Sequence, residues 1–78
     1  MIEHKIPRLR MEREIAHTLK KMQDFLCGYD LWKRNQERKQ AASCLKMARE
    51  YRNHARKLKK YLDAGLMISG NYRYIFVD

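Results

Sequence analysis

Between Ala41 and Leu62 the residues Ala41, Cys44, Ala48, Tyr51, Ala55, Leu58 and Leu62 fall at steps of three, four, three, four, three and four. A three-four alternation held this long lines one face of an α-helix, at the spacing of a heptad seam that packs on another helix. One of the two heptad positions is alanine three times running, at 41, 48 and 55. Small side chains at regular spacing let a partner helix come close. The seam therefore requires a second helix. Met11, Ile15, Leu19, Met22 and Leu26 supply one, at steps of four, four, three and four, with Phe25 widening the stripe. This predicts a helix of about 18 residues. Pro7 suits its first turn, where a missing N–H costs nothing. Gly28 stands where a helix commonly ends, and Asp30 can cap the next helix.

The stretch Lys33–Gln40, KRNQERKQ, holds no apolar residue and no Gly or Pro. It can be helical but cannot bury much. A single helix from Leu31 to Ala64 would span about 50 Å, and a simple hairpin would then set Leu19 and Met22 against this polar block. Either the second helix is broken near 33–40, or helix one packs elsewhere, as it would across a homodimer. Both remain open. Gly65 stops the second helix, and LMIS, GN and YRYIFV then read as two strands around a two-residue turn. Tyr72, Tyr74 and Phe76 share one strand face; Arg73, Ile75 and Val77 share the other. An isolated hairpin is barely stable in water, so one face must pack on the helices. The expected fold is mainly α, with two amphipathic helices and a C-terminal β-hairpin in one small basic domain over residues 1–78.

Charge narrows the function. The chain has 18 Lys+Arg against 9 Asp+Glu, a formal +9, which favours polyanionic partners. From Arg38 to Leu62 the only acid is Glu50. On the heptad, Lys39, Lys46, Arg49, Arg56, Lys57 and Lys60 fall away from the seam, with Arg38, Arg52 and Lys59 flanking. Solvated helix faces usually mix signs for i, i+4 pairing; this one is nearly unmixed. Lys39 to Lys60 spans about 32 Å, enough to touch several phosphates. Asn53 and Arg56 are the residues best suited to reading base edges. Lys5, Arg8, Arg10 and Arg13 form a smaller cluster, tempered by Glu3, Glu12 and Glu14. Tyr72 and Tyr74 can stack on unpaired bases beside Arg73, although a core role suits Tyr74 and Phe76 better. Trp32 either anchors an interface or caps the end of helix one.

The segment Leu58–Val77, LKKYLDAGLMISGNYRYIFV, resembles the end of a winged-helix DNA-binding domain. Leu58, Tyr61, Gly65, Leu66, Gly70 and Tyr74 occupy the places of the recognition-helix end, its exit and the wing. The resemblance implies a winged helix-turn-helix, with Arg49, Arg52, Asn53 and Arg56 on or near the recognition helix and Arg73 in the wing. It covers about a quarter of the chain. Upstream, CLKMAREYRNH departs from the family pattern by placing Arg49 and Glu50 where the turn belongs.

Other classes are disfavoured. His4, His17 and His54 are scattered and no Cys/His pair has ligand spacing, so neither metal nor cofactor is expected. There is no evident nucleophile, phosphate loop or carboxylate pair, which argues against an enzyme. Cys27 and Cys44 read as free thiols in a reducing compartment, and the opening MIEHKIPRLR lacks a signal-peptide core, so a cytoplasmic, non-secreted protein is expected. No apolar run is long enough for a membrane span. Two functions fit these features. The first is a non-catalytic nucleic-acid-binding protein, with DNA ahead of RNA. The alternative is a phage- or mobile-element-type interaction protein that inhibits or adapts a host complex through an acidic surface.

Overall fold

The computed structural model describes residues Met1–Asp78. Its elements are β1 (Ile2–Pro7), α1 (Arg8–Arg34), α2 (Arg38–Ala64), β2 (Leu66–Ser69) and β3 (Tyr72–Val77). The helices form an antiparallel hairpin, with Phe25 stacked on Tyr51, Gly28 against Cys44, and Met11 beside Leu62. Each has 27 residues, about 40 Å at helical rise. The molecule is correspondingly long, 50 × 23 × 14 Å.

The α2 seam packs as its spacing demands. Ala41, Ala48, Ala55 and Leu62 are buried, and Cys44, Tyr51 and Leu58 are half-buried. The break falls inside KRNQERKQ, so there are two helices, and the polar block forms the hairpin's loop instead of opposing Leu19. Without glycine, the loop closes by forcing Gln36 into the left-handed region at φ 59°. The Gln36 N–H then donates to the Lys33 carbonyl at 3.1 Å and the Glu37 N–H to the Trp32 carbonyl at 2.9 Å. This is the double hydrogen bond of a Schellman helix end.

Helix α1 corrects the sequence reading in three ways. It runs through Gly28 to Arg34, so Gly28 is not a terminator and Asp30 caps nothing. Its buried stripe is Met11, Ile15, Thr18, Met22, Phe25, Tyr29 and Trp32, again at four-three steps. Leu19 and Leu26 fall beside that stripe, each 39% exposed. The partner seam selects the four-three path, which keeps one face toward it, over the four-four start through Leu19 that drifts around the helix. Thr18 tolerates burial because its Oγ1 donates to the Glu14 carbonyl at 2.8 Å, satisfying the hydroxyl within its own helix.

The hairpin forms as expected around Gly70, whose φ of 58° sits at the first central turn position, where a type II′ turn needs glycine. Gly65, at φ 81°, caps α2 and donates to the carbonyls of Tyr61 and Leu62. The sheet has a third strand absent from the sequence reading. The order is β1-β3-β2, with β1 parallel to β3 and Ile2, His4 and Ile6 registered on Tyr72, Tyr74 and Phe76. The core forms where this sheet meets the helix ends, around Met11, Leu62 and Phe76, with Ile6, Ile15, Leu58, Tyr61 and Met67 packed on it. The segment resembling a winged helix has the helix end, exit and hairpin, but α2 runs unbroken through Arg49–Glu50. No helix-turn-helix turn is present.

Candidate functional site

A straight helix turning 100° per residue sorts the α2 cations into two rows. Lys39, Lys46, Lys57 and Lys60 lie opposite the seam, with the neutral Asn53 in line with them. Arg38, Arg49, Arg52, Arg56 and Lys59 run along one flank. All are exposed. None is in an ion pair, since the single salt bridge of the structure joins Arg8 Nε to Asp78 Oδ1 at 3.6 Å. Glu50 stands at the edge of the lysine row, one turn from Lys46, and borders a groove on the other flank with Met47, Tyr51 and His54. Arg38 and Lys39 even occupy the first turn, which contains no acid. Cations there oppose the helix dipole, at about 0.3–1 kcal/mol each. The charges are therefore not arranged for the helix's own stability.

The arginine row differs from the lysine row in its neighbours. Arg49 and Arg52 border a shallow groove between the helices that is floored by Met22, Leu26, Leu45 and Ala48. Along the lysine row, Lys57 borders a groove near the sheet with Leu58, Tyr61, Met67, Ile68 and Tyr74.

The remaining sequence candidates lie elsewhere. Trp32 is half-buried on the α1 stripe next to the loop, where its carbonyl accepts from the Glu37 N–H. Phe76 points into the core, so by strand alternation Tyr72 and Tyr74 face the helices and Arg73 faces away from them. Arg73 pairs across the sheet with Glu3 and Ile68. It therefore does not flank the tyrosine rings, as a stacking site beside Arg73 would require. The ring neighbour is instead His4, 5.6 Å from both Tyr72 and Tyr74. Sequence reasoning considered His4 only as a zinc ligand. The alternation Ile2, His4, Ile6 was the available signal of a strand that would place it on the sheet.

No group of three or more His, Cys, Asp or Glu side chains gathers in a metal-holding arrangement. Both cysteines are free. No helix is long and apolar enough to cross a membrane. No family model, no curated protein and no solved structure matches the chain.

Proposed function

We propose that this chain is a small, non-catalytic nucleic-acid-binding protein whose second helix contacts phosphates. The observation that carries the reading is the rows of exposed cations along α2, none of them in an ion pair and with Glu50 the one acid beside them. Such a surface repels itself and gains free energy when a polyanion covers it, by releasing condensed counterions. Its length of about 32 Å matches roughly nine base pairs of duplex at about 3.4 Å each. DNA is favoured over duplex RNA because the B-form major groove admits a helix, bringing Asn53 and Arg56 to base edges, whereas the A-form groove does not.

The test is an anisotropy titration of labelled duplex DNA at several salt concentrations, comparing the wild type with the triple variant Arg49→Ala, Arg52→Ala, Arg56→Ala. Each lost phosphate contact lowers the salt slope by about 0.9, so the triple variant should lose several-fold in affinity and about 2–3 in slope. Equal binding by both proteins across the salt range refutes the reading.

A second reading has its own support. The Met22–Leu26–Leu45 groove beside Arg49 and Arg52 suits an acidic amphipathic segment of a protein partner, as an inhibitor or adaptor of a host complex would need. It is favoured if the chain binds neither duplex nor single strand and retains one stoichiometric protein after nuclease treatment.

A further inference from the structure

The rings of His4, Tyr72 and Tyr74 are nearly parallel, with interplanar angles of 26°, 21° and 21°. Their centroids are 5.6, 5.6 and 6.2 Å apart. In a face-to-face column the outer pair would be separated by twice the neighbour distance. This near-equilateral triangle is instead a paving, in which the rings are mutually offset and none is sandwiched between the other two.

The paving is open. Along the helix-facing side of β3, Phe76 is 6% exposed, Tyr74 is half-buried and Tyr72 is 43% exposed. His4 is exposed as well. The sheet thus leans on the helix ends at Phe76 and parts from them toward Tyr72. Tyr74 borders two grooves there. One lies between β1 and α1 and carries Lys5 and Arg10. The other lies between β2 and α2 and carries Lys57 and His54. Glu14 is the single acid bordering either groove.

We infer that this splayed end of the sheet is a stacking platform for unpaired bases, with His4, Tyr72 and Tyr74 as its floor and Arg10 and Lys57 as phosphate contacts at its lips. The inference rests on the reading of the chain as a nucleic-acid binder and adds a site for unpaired strand beside the duplex contact of α2. A base in a duplex is covered by its neighbours, whereas an unpaired base offers its face to an aromatic ring whatever its identity. The platform shares Lys57 with the α2 cation rows, so one strand can pass from the rings onto the helix. An acidic protein would satisfy the lips but gain little from three offset rings.

The test uses three labelled probes: an oligothymidylate of about a dozen nucleotides, an abasic strand of the same length and phosphate number, and a duplex of the same length. Anisotropy titrations compare wild type, Tyr72→Ala and His4→Leu, with far-UV circular dichroism confirming the fold. Stacking is worth at least about 1 kcal/mol per base, so wild type should bind oligothymidylate at least about five-fold tighter than the abasic strand. Tyr72→Ala and His4→Leu should each reduce that advantage and leave abasic and duplex binding unchanged. Equal wild-type affinity for oligothymidylate and the abasic strand refutes the platform while leaving the phosphate-binding helix standing. So does a Tyr72→Ala variant that weakens all three probes alike. Failure to bind any strand or the duplex refutes both.

Discussion

Gly28 gives a test of the helix crossing in which two effects of similar size oppose each other. It lies inside α1, and an alanine there gains about 1 kcal/mol in helix propensity. A Cβ built at Gly28 would stand 3.2 Å from Cys44 Sγ and 4.0 Å from Cys44 Cβ. The second distance is ordinary contact; the first is too short by several tenths of an ångström. Cys44 must turn away, and its helical backbone leaves only two χ1 wells. Displacing it from a well costs about 0.5–1.5 kcal/mol. Gly28→Ala alone should therefore be close to neutral. In a Cys44→Ala background the sulfur is gone and the full propensity gain of about 1 kcal/mol should appear. Thermal unfolding followed by far-UV circular dichroism would then show a midpoint about 4–8 °C higher for the double variant than for Cys44→Ala. The coupling energy from the four-member cycle should be about 0.5–1.5 kcal/mol. If Gly28→Ala raises the midpoint equally in both backgrounds, the close approach of α1 to Cys44 is not present in solution.

Two further substitutions probe the hairpin. Ala48→Glu sets a carboxylate at the most buried alanine of the seam, 2% exposed. It should cost more than about 3 kcal/mol, a large share of the stability of so small a chain, whereas the exposed Ala42→Glu should change little; denaturant midpoints compare them. Gln36→Gly removes the left-handed penalty of the loop but loosens the unfolded chain, leaving a net gain of about 0.5–1 kcal/mol, read from the same denaturant curves.

Different parts of the molecule were unequally legible in the sequence. The α2 seam could be read because its heptad is unbroken and its partner needs only to be another helix. The hairpin could be read because Gly65 and Gly70 mark positive-φ positions that only a few residues tolerate. The hairpin loop could be narrowed to 33–40 but not placed, because Gln36 takes a conformation that normally announces itself as glycine. The α1 stripe was misjudged at Thr18 and Leu19, since hydrophobicity favours the leucine and only the partner's spacing selects the threonine. β1 carried no local turn signal, because its pairing with β3 crosses both helices. Within the candidate site, the cation rows were visible as composition. The aromatic paving was not, because it combines His4 with Tyr72 and Tyr74 from the far side of the sequence.

The parallel pairing of β1 with β3 sets an order of events during synthesis. Ile2–Pro7 is made before both helices, and its only strand partner, Tyr72–Val77, after them. In between, the helical hairpin can close through contacts near in sequence, which form fast. Its closure brings Arg8 beside Leu62, where the guanidinium donates to the Leu62 carbonyl at 3.2 Å. That removes most of the chain entropy separating the two strands. Until then β1 is an unpaired strand in a crowded cell. Glu3, His4 and Lys5, charged or polar at successive positions, disfavour its pairing with other chains. His4, which completes the aromatic surface, thus also helps to guard the nascent strand that carries it.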